Sequence, residues 1–347
     1  MVKKVFLVDL HTHLNEKKIK PKDWWKAVQE KGLCAIAITE HVEYNPELAY
    51  KKLKLIQPEE IILLPGMEAK TTAGHLLIYG KDESIYKIPK LQKINLPIEE
   101  ALKIIKKNDL MASFAHPYGY KTDSTCLIIG EKETKRLLKK YKIGTEYYNG
   151  MLGSANGLVF GSKWIKGFYT IFNIIDKSQA TRILTLNSST KIKTQLENIA
   201  LETLDRVRKA IIFSENAAYI TVGSDAHYPR TIGSSVIQLK KQPKTEIELI
   251  NMIKKKEILW AGPNVFSKTP VDHLKRQELL EGVKYITTNK IKKTINPKKI
   301  RKVVTKKIIK NVKPKISAKT IKGITKKIPG KKIVFNLKKK IFKGKKQ

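Results

Sequence analysis

Short apolar runs, each meeting a polar cluster with a histidine or an acid, constrain this chain more than anything else in it. The first is Val5-Phe6-Leu7-Val8, a buried-strand run that leads directly into Asp9-Leu10-His11-Thr12-His13. His11 and His13 are two residues apart, so on an extended backbone both imidazoles point to one side and can share a metal ion. An isolated pair of this kind also ends many ordinary strands, and the rest of the chain decides between the two. Residues 33–39 form another such run and end in Glu40-His41; residues 110–115 end in His116-Pro117; residues 218–222 end in Gly223-Ser224-Asp225-Ala226-His227. Residues 61–64 lead into Pro65-Gly66-Met67-Glu68, and Gly74-His75 precedes the run at 76–79. Of the seven histidines only His273 falls outside this arrangement.

Helices are expected between the runs. Pro21-Lys22-Asp23 opens one through residue 31, with Gly32 as its stop. Others are expected at 45–57, 98–107, 131–141, 193–213 and 245–256, and residues 144–150 read as a further strand carrying Glu146. Short strands alternating with helices argue for an α/β fold of βα units with parallel strands, closed into a barrel. In such a barrel the C-terminal strand ends meet at one rim, where active sites gather. The clusters at 11/13, 41, 116 and 227 would then converge, together with Glu68 and Asp225.

This donor set is imidazole and carboxylate without thiolate, which suits Zn, Mn or Fe and disfavours a cysteine-type structural zinc. There are too many donors for one tetrahedral ion. A carboxylate that bridges two ions is the alternative, and paired ions suit phosphoryl chemistry. Cys34 and Cys126 do not make a disulfide framework and are read as small buried hydrophobes. A chain of 347 residues that is 41% hydrophobic can bury a real core, and it shows no apolar run of membrane-spanning length. The apolar run after the first lysines is too short for a signal peptide, so a cytoplasmic protein is expected.

In their order, Asp9-Leu10-His11-Thr12-His13, Ile38-Thr39-Glu40-His41, Gly66-Met67-Glu68, Gly74-His75-Leu76, Ala115-His116-Pro117, Glu146-Tyr147-Tyr148-Asn149-Gly150 and Gly223-Ser224-Asp225-Ala226-His227 resemble the PHP (polymerase and histidinol phosphatase) family over residues 1–263. The resemblance implies a distorted (β/α)7 barrel, a site of two or three divalent metal ions, and phosphoesterase activity through metal-activated water. By position it implies that His11, His13, Glu68 and Asp225 hold a first ion. Glu68 would bridge to a second held by His75 and His116, and His41 and His227 would serve a third. Members of the family supply another His or Asp soon after the H-x-H. Here the loop is Leu14-Asn15-Glu16-Lys17-Lys18, shorter by about two residues than the family pattern, where Glu16 either substitutes as a ligand or is only a solvated acid. Two firm ions and a weak or missing third are therefore expected. The family also places an acid near the site at Glu146, which on its own reads equally as an ordinary strand-end acid. Arg230, three residues past the last cluster, is a candidate bidentate phosphate clamp, and Lys70 is a second candidate; each is also an ordinary surface residue type.

The expected domains are a barrel at 1–263, a linker at 264–288 and a basic tail at 289–347. Within the barrel, 151–192 is an atypical insertion, rich in glycine and aromatics, and 222–263 resembles the C-terminal extension of the small exonuclease-like members. The net charge is +39, and residues 289–347 hold 24 of the 70 Lys and Arg with no Asp or Glu. Ile300, Val303, Val304, Ile308 and Val312 fall near helical spacing, so a basic amphipathic helix is expected there, with disorder beyond it. Nucleic acid is the expected partner of such a tail, and an anionic membrane surface the second. The function expected is a metal-dependent phosphoesterase on nucleotides or oligonucleotides, of the 5′→3′ exonuclease or nucleoside bisphosphate phosphatase type. A small-metabolite phosphatase such as histidinol phosphatase, or a non-catalytic nucleic-acid-binding protein, are the alternatives.

Overall fold

The first strand, β1 (Phe6–Asp9), is only four residues long because its continuation belongs to the site. The computed structural model describes residues 5–153 and 186–267. After β1 come α1 (Pro21–Glu30), β2 (Leu33–Ile38), α2 (Pro46–Lys54), β3 (Ile62–Thr71), β4 (Gly74–Tyr79), α3 (Ile98–Lys107) and β5 (Met111–Phe114). Then follow α4 (Thr125–Ile128), α5 (Glu131–Tyr141), β6 (Gly144–Asn149), α6 (Leu186–Phe213), β7 (Ile220–Gly223), β8 (Ser235–Leu239), α7 (Glu246–Lys254) and β9 (Ile258–Pro263). The described residues lie in one of the chain's two compact units, residues 1–277. Most of the 151–192 segment, His273 and the whole 289–347 tail lie outside the described residues.

Local sequence explains several of these ends. Pro21 starts α1, where its missing N–H costs nothing, and Trp24, Trp25, Ala27 and Val28 form its buried face. Asn45 caps α2 by accepting from Leu48 N at 3.0 Å, and Thr245 caps α7 by accepting from Glu248 N at 3.1 Å. Among the described residues no helix is long and apolar enough to cross a membrane.

The strands join in the order β7-β6-β5-β4-β3-β2-β1-β8-β9. β1 pairs with β8 along its length, then leaves it. Past Asp9 the chain bonds instead to the end of β7: Leu10 N donates to Val222 O at 3.1 Å, Asp225 N to His11 O at 2.7 Å, and His13 N to Ala226 O at 3.0 Å. The first seven strands thereby form a nearly closed barrel. β8 and β9 extend it as an antiparallel pair that the apolar pattern of the sequence did not mark.

Three sequence expectations differ from the structure. The barrel is not all-parallel: β4 runs antiparallel to both β3 and β5. The physical reason is the two-residue link Thr72-Ala73, which leaves no room for a crossover helix. Gly74 follows the link with φ +105°, and a Cβ there would stand 2.5 Å from Asp123 O. Next, β3 does not stop at Leu64 but runs through Pro65 to Thr71. Pro65 sits opposite Ile38, where β2 is ending, so the donor that proline lacks is not missed. Finally, α6 begins at Leu186, seven residues earlier than expected. Cys126 is buried as expected, whereas Cys34 is only half-buried, with its thiol directed at Leu7 O.

Alternation along the strands divides the core in two. Ile36 and Ile38 of β2 join α1, α2, α3 and α5 in an outer layer with Trp24, Val28, Leu53, Leu102 and Leu137. Ala35 and Ala37 face the other way, into an inner cluster with Val8, Leu10, Leu64, Leu77, Tyr79 and Val222. Leu249, Ile250 and Ile253 of α7 join that inner cluster. The small residues on β2 fit a barrel interior, where bulk must be shared among facing strands.

Closure depends on one glycine. A Cβ on Gly223 would lie 2.1 Å from His11 Cβ and 2.5 Å from His11 N. Gly223→Ala must therefore push β7 away from β1 at the point where both deliver metal-ligand candidates. We expect a stability loss of at least the ~1–3 kcal/mol of an overpacked core, read as a lower urea midpoint, together with weakened metal uptake. A variant of wild-type stability would show that the two strands do not approach as described.

Candidate metal centre

Glu68 is the point on which the strand-end side chains converge. It lies mid-way along β3, facing the rim, and is almost wholly buried. Its Oε1 stands 2.7 Å from His75 Nδ1 and 3.2 Å from His116 Nε2. Its Oε2 stands 3.2 Å from His11 Nε2, 3.4 Å from His13 Nε2 and 3.2 Å from His41 Nδ1. Five imidazoles from four strand ends thus share one carboxylate. His75 can join them only because β4 is antiparallel, which brings its N-terminal end to the rim.

Asp225 forms the second carboxylate wall. Its Oδ1 lies 3.2 Å from His13 Nε2, 3.5 Å from His11 Nε2 and 3.6 Å from His227 Nδ1. Asp225 and His116 both adopt positive φ, +53° and +26°. Such strain in non-glycine residues is held only where the surroundings fix it, and it gathers at functional sites.

The shortened loop after the H-x-H reaches the site. Glu16 Oε2 stands 2.9 Å from His227 Nε2 and 3.6 Å from His41 Nε2. His227 Nδ1 is 2.9 Å from the Asp225 carbonyl. A carbonyl only accepts, so Nδ1 donates to it, and this orientation turns Nε2 toward Glu16. His41, His75, His227 and Glu16 are the partly exposed members and line the open side, whereas His11 and His13 are sealed beneath them.

Other side chains hold the donors rather than join them. Glu146 spends one oxygen on His11 Nδ1 at 3.0 Å and the other on His116 N and Asn149 Nδ2, at 2.7 and 3.0 Å. It backs the histidines and does not face the open side, so it is a positioning residue. Asn149 Nδ2 also reaches Asp225 Oδ2 at 3.1 Å. His116 Nδ1 faces Ser124 Oγ at 3.5 Å. Asp9, beside the H-x-H, takes the backbone N–H groups of His11, Ser224 and Gly233 and ties three chain segments together. Carboxylates and amides behind histidine ligands fix ring orientation in metal sites. Asn149, Ser124 and Asp9 received no such role from the sequence. Only their neighbourhood to ligand motifs could have suggested one.

Three groups of donors each bring their ligand atoms within 4.8 Å of one another: His11/His13/Glu68, His41/Glu68/His75 and His13/Glu16/His41/His227. Glu68, His13 and His41 are shared between groups. The atoms are nitrogen and carboxylate oxygen, buried at His11, His13 and Glu68 and partly exposed at the other four, and this set fits two or three divalent ions. The electrostatics agree. Burial opposes charge on His11, His13 and His116, but the carboxylates around them more than offset it. His11 is held well above its ordinary value, His13 is raised to about 10, and His116 to about 9. Burial likewise works against charged Glu68 and Asp225, and the imidazoles nonetheless hold both well below the usual range. His41 goes the other way, to about 4, chiefly through burial.

The two phosphate-clamp candidates lie on the periphery. Lys70 Nζ is 3.5 Å from Glu43 Oε1, which partly satisfies its charge. Arg230 is half-buried, with its guanidinium carbon 5.6 Å from the Tyr228 ring centre.

Protons and metal must compete here. At neutral pH the raised histidines carry protons that a cation has to displace. Metal uptake at pH 7 should release up to one proton each from His11, His13 and His116. Affinity should rise with pH up to about 9–10, where His116 and His13 lose their protons unaided. Calorimetric titration with Mn2+ or Zn2+ in buffers of different ionisation enthalpy counts the released protons. Uptake without proton release would contradict this arrangement of charges.

Comparison with known proteins adds the following. Residues 208–258 match a family model described as PHP-associated. No curated protein matches the chain. Among solved structures, one similar chain is a two-domain protein containing a predicted PHP-like metal-dependent phosphoesterase from Bacteroides vulgatus. It is 16% identical, with 74% of this chain and 64% of that one covered and a TM-score of 0.45. A lesion-specific endonuclease from Pyrococcus furiosus is 16% identical over 73% of this chain and 56% of its own, TM-score 0.41. An amidohydrolase from Chromobacterium violaceum, with bound sulfate and no metal, is 12% identical over 76% and 99%, TM-score 0.41. This chain therefore spans less than two thirds of the first two proteins. The matched segment 208–258 contains β7, β8 and the cluster with Asp225 and His227, and on that match and the ordered motifs the chain resembles the PHP family, with 208–258 as its PHP-associated segment.

Proposed function

We propose that the protein is a metal-dependent phosphoesterase acting on nucleotides or oligonucleotides. The observation that carries this reading is Glu68, one buried carboxylate whose two oxygens face two different sets of imidazoles. His11, His13 and Asp225 would hold one ion with Glu68, His75 and His116 a second, and Glu16, His41 and His227 a third. Divalent ions held there would supply activated water and neutralise charge on a phosphoryl group. The chain's own part is to orient and to exclude. Glu146 and Asn149 fix His11, His116 and Asp225 from behind. His41, His75, His227 and Glu16 form the face a phosphate ester would approach, with Arg230 and Lys70 at its margin to hold phosphate oxygens. With two free cysteines and no disulfide among the described residues, the cytoplasm is the proposed compartment.

Full-length metal-loaded protein, assayed against short RNA, short DNA, nucleoside bisphosphates and histidinol phosphate, tests the substrate. The highest kcat/KM should fall on a nucleotide or oligonucleotide. Preference for histidinol phosphate would make it a small-metabolite phosphatase, and no turnover of any of them would leave a binding protein. Glu68→Gln and Asp225→Asn should each lower kcat/KM by more than the ~10–100-fold that an outer partner costs, and lower bound metal as measured by elemental analysis. Wild-type metal content and rate in either variant would sink the site.

The tail at 289–347, with its 24 positive charges, is proposed to bind nucleic acid through phosphate contacts. Such contacts position a protein without reading sequence. Binding to a labelled single strand should weaken steeply with salt in the full-length chain. A chain ending at residue 288 should lose most of that affinity and keep turnover of small substrates. Equal affinities and salt slopes for the two would exclude the tail, and a preference for anionic vesicles would assign it to membranes.

A further inference from the structure

The end of β2 carries a carboxylate that belongs to none of the three donor groups. Glu40 is fully buried, where an acid is costly unless its oxygens are occupied. Its Oε2 accepts the backbone N–H of Leu14 at 2.8 Å and also that of Asn15. Its Oε1 stands 3.4 Å from His13 Nδ1. Its own carbonyl accepts from Glu68 N at 3.0 Å. One residue thus touches a shared histidine, the backbone just ahead of Glu16, and the strand that carries Glu68.

The loop it grips is short and tightly turned. Lys18 N donates to Asn15 O at 3.0 Å and Ile19 N to Leu14 O at 2.9 Å. Asn15 secures its outer side: its Nδ2 donates to the carbonyls of Tyr44 and Asn45 at 2.9 and 3.2 Å, and its Oδ1 accepts from Lys52 at 2.9 Å. Glu16 comes next, and it is the only carboxylate in the group with His13, His41 and His227. Its side chain is long and partly exposed, so its reach to His227 depends on where the backbone of 14–16 is held.

We propose that Glu40 is the positioning residue of this outer group, fixing His13 and the Leu14–Asn15 backbone together so that Glu16 completes a third cation site. The proposal rests on the reading that these donors hold divalent ions. A glutamine at 40 keeps the shape but replaces one oxygen with a donor. That donor meets either the two backbone N–H groups or His13 Nδ1. His13 is shared with the inner group of His11 and Glu68, but that group keeps its other donors, and the supports of Glu68, His11, His75, His116 and Asp225 do not involve the Glu40 side chain.

The experiment compares full-length wild type and Glu40→Gln, both stripped with chelator and dialysed against graded Mn2+. Ions per chain are read by elemental analysis, and melting is followed by circular dichroism. Wild type should take up three ions, one per donor group. The variant should bind the third ion ~10–100-fold more weakly, the usual effect of losing an outer partner, with a smaller loss at the inner ion that shares His13 and none at the ion held by His75 and His116. A folded variant that keeps all three unchanged, or weakens all three equally, overturns the proposal. A wild type that stops at two ions in millimolar Mn2+ also overturns it while leaving the two-metal reading intact; a wild type that takes up none overturns both. Should Glu40→Gln fail to fold, Glu40→Asp, which keeps the charge but withdraws it by one carbon, is read the same way with the same loss expected.

Discussion

A buried carboxylate ringed by imidazoles is the constraint on which the rest of this structure depends. Glu68 cannot sit at the centre of a protein without compensation, because burial alone would neutralise it. Five histidines offset that penalty, and they come from four different strand ends, His11 and His13 both following β1. No single helix or hairpin could bring five such residues to one point. A barrel can, because its rim is a ring of strand ends. The same logic explains the rigid backing of the ring. Glu146, Asn149 and Asp9 hold histidines, carboxylates and backbone together, so that donors which repel one another when protonated remain assembled.

How much of this was legible in the sequence follows from the kind of signal involved. Strands buried on both faces read as apolar runs, and the histidines fall beside them, so most of the site was visible from residue types and order alone. The β4 reversal was not read from the same pattern, although Thr72-Ala73 is too short for a crossover. The apolar run at 76–79 looks the same in either direction. β8 and β9 escaped notice because Ser235, Gln238 and Gly262 dilute their apolar character. β8 is placed by pairing with β1, a contact more than two hundred residues away in sequence, and β9 by pairing with β8. Glu16 was legible only as a possible substitute ligand, and its reach was not. It depends on loop geometry fixed by Glu40 and Asn15, whereas spacing alone suggested that the loop had become too short.

The site has two unlike sides. The inner side, with His11, His13, Glu68, Asp225 and Glu146, is closed to solvent and densely cross-bonded. The outer side, with His41, His75, His227 and Glu16, is partly exposed and depends more on loops. Rigidity is concentrated where charges are most expensive to bury, and adaptability remains where a ligand has to enter. The two strained residues, His116 and Asp225, lie at the junction. Each is held by a backbone hydrogen bond of 2.7 Å, to Glu146 and to the His11 carbonyl. Their cost is carried by the network that seals the inner side.

The antiparallel β4 is what makes that division work. In an all-parallel barrel His75, at the start of its strand, would lie at the opposite end from His11, His13 and His116. Reversing one strand moves its first residues to the functional rim without lengthening any loop. It also leaves Glu68 and His75 as neighbours across one hairpin, with Lys70 paired to His75 in register. A carboxylate and an imidazole fixed by a two-residue link keep their 2.7 Å contact whatever the outer loops do. That pair gives the more exposed donors a fixed reference on the rigid sheet, so His41 and the Glu16 loop need only be placed relative to Glu68.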